Sequence, residues 1–212
     1  MKIYTLALLA LTTLLTACAE NSVAPAAELA SGDAAAEVAA TSDPNFLEIA
    51  LGAPAVINPV VSVWVKKGTE KIFYMWYGPR PGHTDSTVFM RFRVRKRSLG
   101  NYPNGAPIAD GDSILITATL IDAVNQIIDF QPSGLVFVPG ELPKLKISYF
   151  ETDPDWNDDG AVNQSDTRVQ RLFDIWQQHA ALPWAPLPSA VSVGSHEVEA
   201  SIPGFTSYAV AY

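Results

Sequence analysis

The sequence predicts an all-β domain, an antiparallel β-sandwich over residues 58–212, and three observations carry that expectation. β-Branched and aromatic residues gather in short runs. Pro, Gly, Asn or Asp bounds each run. No long stretch of helical periodicity interrupts them, and the runs recur roughly every 8–15 residues, somewhat wider than the spacing of an ideal sandwich.

In chain order, "VVSVWVKK" is followed by a Gly-containing turn and "KIFYMWY", which together read as a hairpin. "STVFMRFRVRKR" alternates, with Val88, Met90, Phe92 and Val94 on one face and Arg91, Arg93 and Arg95 on the other. A period of two marks a strand with one face buried. "NYPNGAPIADGD" is dense in turn formers. "SILITATLI", "QIIDF", "LKISYF", "RLFDIWQ", "VEASI" and "SYAVAY" complete the set of expected strands.

The segment before this domain has a different character. Lys2 precedes an apolar run from about Ile3 to Leu15 that contains no acidic residue. Such a run has the length of an export signal and is too short for a membrane-spanning helix of about 20 residues. It ends in "LTAC" at Cys18, the single cysteine of the chain. This ending resembles the lipobox of bacterial lipoproteins. The resemblance implies removal of residues 1–17, acylation of Cys18 and anchoring in membrane lipid. With Ala19 after the cysteine, it places the protein in the cell envelope, at the outer membrane where one exists. Several acyl chains would hold it stably, since one chain alone binds weakly.

Residues 18–57 are expected to form an Ala-rich flexible tether, because the stretch to about Ala40 lacks the large apolar side chains that would offset ordering entropy. "FLEIALGAP" at the end of this segment is compatible with packing on the domain edge or with continuing the tether. Overall, 22 acidic residues face 14 Lys and Arg, for a net charge of −8. That balance argues against nucleic acid as a partner, whose binding depends on many cationic contacts to phosphate. With the lone cysteine acylated, no disulfide would support the domain, which must stand on its core.

The second half of the chain carries a further resemblance. "FQPSGLVF", "PKLKISY", Trp184 with "APLPSAV", and the closing "FTSYAVAY" are similar to the ZU5-type β-sandwich, through Pro132, Gly134, Leu135, Phe137, Leu145, Ile147, Tyr149, Trp184, Phe205, Tyr208 and Val210. Thr206 stands where that group commonly has Ser, and a long acidic insert follows Tyr149. The resemblance implies a non-catalytic interaction module of immunoglobulin-like architecture and brings no active site.

That insert, "DPDWNDDGAVNQSD" (Asp153 to Asp166), crowds five aspartates into fourteen residues, and something must oppose their repulsion. Counted from Asp155, side-chain oxygens fall at positions 1, 3, 5, 9 and 12, as Asp155, Asn157, Asp159, Asn163 and Asp166. Gly160 sits at position 6, where the loop must turn sharply, and Ala161 at position 7 needs to offer only its carbonyl. Ca²⁺ takes six to eight oxygens, and this spacing wraps such a set around one point. The pattern resembles the calcium loop of dockerin modules, including Asp at position 12. Dockerins carry two such loops with helices and bind cohesins. Here there is one loop, and "RLFDIWQQ" reads as a return strand, so a structural ion is expected rather than a cohesin partner. The alternative is an acidic turn closed by its own Asx side chains.

The remaining candidates are weaker. His83, His179 and His196 stand apart beside turn residues and lack zinc-ligand spacing. No nucleophile elbow, P-loop or dinucleotide fingerprint occurs. "RFRVRKR" (Arg91–Arg97) reads as a solvated strand face; otherwise it would meet lipid phosphates or the acidic loop. Trp64, Trp76, Trp156, Trp176 and Trp184 read as core or rim aromatics, with a sugar-stacking platform as the alternative. The expected function is therefore non-catalytic: a calcium-stabilised envelope module that binds or scaffolds an envelope or extracellular protein or glycan. A carbohydrate-binding accessory module is the second reading, and it requires exposed, coplanar rings on one sheet face.

Overall fold

The computed structural model describes residues 43–212; the leader, Cys18 and most of the tether lie outside the described residues. Within them the chain forms β1 (Val60–Lys66), β2 (Lys71–Trp76), β3 (Val88–Val94), β4 (Leu99–Asn101), β5 (Ser113–Asp122), β6 (Ile127–Gln131), β7 (Val136–Phe137) and β8 (Lys144–Ser148). A short helix α1 (Gln164–Val169) and a 3₁₀ turn (Gln170–Leu172) follow. Then come β9 (Asp174–Gln178), β10 (Ala185–Leu187), β11 (Ser189–Ser192), β12 (Glu197–Ser201) and β13 (Ser207–Ala211). One sheet has the order β1-β5-β6-β13-β9-β10, the other β11-β12-β8-β3-β2, and β4 pairs with β7. Every pairing is antiparallel. The expected all-β, sandwich-like architecture is what the chain adopts, with 43% strand and 5% helix.

From Met90 to Val94 the alternating strand behaves as its pattern requires, whereas Val88 is only half-buried and Phe89 is buried, where the register against β2 shifts between Met75 and Trp76. Met90, Phe92 and Val94 are fully buried and Arg93 is exposed, because successive side chains of a strand point to opposite faces. Across the gap between the sheets, Phe130 of β6 packs on Phe92 of β3 with ring centroids 4.9 Å apart. Phe205 at 5.5 Å and Tyr208 at 5.8 Å complete that aromatic centre. Most of the residues behind the second-half resemblance serve this core: Leu135, Phe137, Leu145, Ile147, Tyr149, Phe205, Tyr208 and Val210 are buried.

Two expectations need correction. "VVSVWVKK" and "KIFYMWY" do not form a hairpin. β1 pairs with β5, with Trp64 opposite Leu115, while β2 pairs with β3 in the other sheet. The turn at Gly68 (φ 89°) carries the chain across the sandwich edge instead. Each strand has an apolar inward face, and facing sheets bury both of those faces where a two-stranded hairpin alone could not. The expected strand "RLFDIWQ" begins only at Asp174, because Arg171 and Leu172 lie in the 3₁₀ turn that follows α1.

The domain also starts earlier than residue 58. Asn45 exchanges backbone hydrogen bonds with Tyr212, at 3.1 and 3.2 Å, and Leu47 N–H donates to Val210 carbonyl at 3.1 Å. Further along, Ile49 donates to Val124, Ala50 to Glu151, and Ile57 to Trp76. Residues 45–57 are thus a strap across one end of the sandwich rather than part of the tether, and Leu47 is 3% exposed. Leu47→Ala should cost about 2–3 kcal/mol through lost burial and a residual cavity. For a domain of this size, the melting temperature measured by circular dichroism should fall by about 4–12 °C. No change would mean that the strap contributes nothing to stability.

Candidate metal centre

The acidic stretch lies in the connection from β8 to β9, which leaves one sheet and returns in the other. Both of its ends are tied to the core. Trp156 packs edge-on against Phe173 at 5.2 Å and Tyr149 at 5.9 Å, and its indole N–H donates to Thr152 Oγ1 at 3.3 Å. Its carbonyl accepts the phenol of Tyr212.

The loop is built around its carboxylates. Asp155 accepts the backbone N–H of Asp159 at 3.2 Å on one oxygen and that of Gly160 at 2.8 Å on the other. These bonds fold positions 5 and 6 back over position 1. Asp158 (φ 54°) and Gly160 (φ 83°) supply the left-handed backbone that the reversal needs. Asp159 Oδ1 accepts Ala161 N–H at 2.9 Å. Asp159 Oδ2 faces three donors: Asn157 Nδ2 at 3.0 Å, Ser165 Oγ at 3.3 Å and Asn163 Nδ2 at 3.4 Å. The hydrogen bond from the Asn157 amide, joined by those from Ala161, Asn163 and Ser165 and opposed by desolvation, holds the Asp159 carboxyl below its ordinary pKa. Asp166 is 1% exposed and accepts Asn163 N–H at 2.7 Å and Asn157 N–H at 3.4 Å.

Asn163 and Asp166 also start α1. The Asn163 carboxamide oxygen accepts Ser165 N–H at 2.7 Å while Asp166 reaches back to Asn163, a reciprocal capping box. The pattern "NQSD" is the signal for it in the sequence, and Ser165 is the loop residue that the ligand count passed over. Two positions forward of its own cap, its hydroxyl bridges Asn157 and Asp159.

Asp155, Asn157, Asp159, the Ala161 carbonyl, Asn163 and Asp166 are all in this one loop, and they are oxygen donors of the kind a hard cation takes. Their three carboxylates do not gather into a group of three or more His, Cys, Asp or Glu that could hold an ion unaided; no such group exists among the described residues. The carboxamides of Asn157 and Asn163 turn their N–H groups toward Asp159, while their oxygens accept the backbone N–H groups of Asp159 and Ser165. The residue types and their order fit Ca²⁺, and a bound ion would have to draw the three carboxylates together and displace amide hydrogens from Asp159.

Other expected positions fall as follows. His83 and His179 are exposed, whereas His196 is half-buried against Tyr149 at 5.4 Å and Phe150 at 5.5 Å. Arg91 pairs with Glu199 at 3.6 Å and Arg93 with Glu70 at 2.6 Å, so those arginines are neutralised on the strand face. Tyr74 and Trp76 lie side by side on β2, but both are half-buried and tilted by 38°, which is not a flat exposed platform for a sugar ring. Trp176 is buried, Trp184 packs on Phe46 at 5.0 Å, and Trp64 is 67% exposed. No helix of the described residues is long and apolar enough to cross a membrane.

Sequence patterns missed the Arg80–Glu151 pair. Glu151 has a side chain only 2% exposed and takes Arg80 Nε at 3.1 Å and Nη2 at 2.9 Å. The guanidinium also lies 4.9 Å from the Phe150 ring centroid. No local pattern could have shown a pair 71 residues apart.

Compared with protein-family models, curated proteins and solved structures, the chain matches none.

Proposed function

We propose that this protein is a non-catalytic, lipid-anchored module of the cell envelope whose β-sandwich is stabilised by Ca²⁺ in the Asp155–Asp166 loop and serves to bind or scaffold another envelope component. The observation that carries the reading is the reversal at Asp155. Its two oxygens accept the amides of Asp159 and Gly160, so the loop doubles back over position 1, and its oxygen donors at positions 1, 3, 5, 7, 9 and 12 have the spacing a calcium loop uses. The setting adds support, since the loop joins the two sheets and carries Trp156 into the core, so an ion there would hold a long crossover closed. The leader ending at Cys18 carries the anchoring part of the reading.

An ion that binds only the folded loop stabilises the domain by mass action. A lone extracellular-type loop is expected to bind at about 10⁻⁴–10⁻³ M, so millimolar Ca²⁺ should add about 1 kcal/mol. The melting temperature of the wild type should rise with added calcium over chelator, and that of Asp155→Ala should not. A wild-type transition that calcium leaves in place, with no heat of binding by calorimetry, would reduce the loop to an acidic turn. Anchoring is tested separately. A palmitate analogue should label the wild type in cells and leave Cys18→Ser unlabelled, and equal labelling would remove the lipoprotein reading.

A further inference from the structure

At the end of the sandwich away from the strap, two turns meet. Thr69 N–H closes the first on Lys66 carbonyl at 3.2 Å, and Ser98 N–H closes the second on Arg95 carbonyl at 3.1 Å. Gly68 N–H donates to Lys96 carbonyl at 3.1 Å and ties one turn to the other. Ser98 is fully buried; its hydroxyl accepts Arg95 N–H and donates to Glu141 carbonyl, which fixes the second turn to the body of the domain. The joined turns display Lys66, Lys67, Lys71, Arg95, Lys96 and Arg97.

None of these cations makes an ion pair among the described residues, although the chain as a whole is strongly acidic. Lys67 alone has a fixed partner, the Ile108 carbonyl at 2.6 Å. The acids nearby are Glu70, Asp110, Asp112 and Glu141, fewer than the six cations. Arg93 holds Glu70, and Asp112 accepts Ala109 N–H and the Tyr102 phenol. The tip is therefore net positive.

Beside the charges, on the flank of the tip, lie exposed apolar side chains. Trp64 is two residues from Lys66 on the same outward face of β1 and pairs in register with Leu115, which is 40% exposed. With the domain tilted so that this face of β1 meets the bilayer beside the tip, the cations reach headgroup phosphates at the level where an indole is also favoured, which is the chemistry of a bilayer surface. A soluble polyanion would use the charges and have no use for Trp64.

We propose that this tip docks on an anionic phospholipid surface, with Lys66, Lys71, Arg95, Lys96 and Arg97 on headgroup phosphates and Trp64 at the interface. The opposite end, with Glu48, Asp153, Asp155 and Asp158 beside the strap, is repelled by the same surface, so the charge distribution keeps the basic end and its Trp64 flank toward the bilayer. β5 spans about 30 Å between the two ends. The chain from Cys18 to Asp43 can extend to roughly 80 Å, so an anchor at Cys18 leaves the tip free to reach the bilayer.

The test uses residues 19–212, which lack Cys18 and hold every described element, so its outcome is separate from whether the chain is acylated. Flotation should show binding to vesicles of about three parts phosphatidylcholine to one part phosphatidylglycerol, weakening with salt, and little binding to phosphatidylcholine alone. Lys66→Gln/Lys96→Gln/Arg97→Gln should bind about a hundredfold more weakly, at roughly fivefold per charge. Lys144→Gln/Lys146→Gln, on the ion-paired sheet face, should bind as the wild type does. Tryptophan emission should shift to the blue on binding, and Trp64→Phe should abolish the shift. Melting curves identify any variant that fails to fold. Equal binding to both vesicle types, a triple variant that folds and binds normally, or binding to soluble polyphosphate without binding to vesicles would each overturn the proposal.

Discussion

Phe130→Ala should destabilise the domain by about 3–5 kcal/mol, the range for removing a fully buried aromatic ring from a packed core. Phe130 has no exposed surface and touches rings from three directions: Phe92 from the facing sheet, Tyr208 from the neighbouring strand and Phe205 from the turn before it. Truncation removes the apolar area that the ring buries and leaves a void that three stiff aromatics cannot close by rotating. Urea denaturation should show the midpoint moving to lower concentration with an unchanged slope. Phe130→Leu should recover a large share of the loss, because it fills part of the void. If Phe130→Ala cost less than about 1 kcal/mol, the two sheets would not share the core described above.

Arg80→Ala should destabilise the domain for a different reason, and by less than the loss of Phe130. Glu151 lies at the start of the acidic crossover with its carboxylate almost out of solvent, and Arg80 supplies both of its charged hydrogen bonds. Removing one partner of a buried pair leaves the other charge without compensation, typically at a cost of about 3–5 kcal/mol. The Arg80 side chain is itself half exposed, so water can reach part of the site and the cost should fall below that range. A double-mutant cycle separates the pair from mere packing. Glu151→Gln removes the stranded charge, so Arg80→Ala should cost much less in that background. Equal costs in both backgrounds would show that Arg80 acts through its stacking on Phe150 alone. Because the Glu151 carbonyl accepts Ala50 N–H, the same substitution should also loosen the strap, visible as faster amide exchange at Ala50.

The candidate metal loop was legible because its information is local. Six oxygen donors and a glycine within twelve residues can be counted from the sequence, and Asp155 and Asp166 accept backbone N–H groups within that loop. What the spacing hid is how much the loop's own N–H groups oppose the aspartates' repulsion. Backbone amides of Asp159, Gly160, Ala161 and Asn163 all point at carboxylates, and a backbone donor leaves no trace in residue types.

By itself the sequence determined the all-β class and the buried face of individual strands. It also set the order of the donors in the acidic loop. Each of these follows from steric and periodic rules acting over a few residues, so Met90, Phe92 and Val94 had to share a face whatever they met. Only the tertiary structure decided that β1 joins β5 instead of β2, and that Leu47 belongs to the core. It alone paired Arg80 with Glu151 and brought the turns at Lys66–Lys71 and Arg95–Arg97 into one basic tip. Those outcomes depend on which apolar faces and charges, distant in the chain, can be buried or satisfied together. That free energy belongs to pairs of segments, and no single segment encodes it.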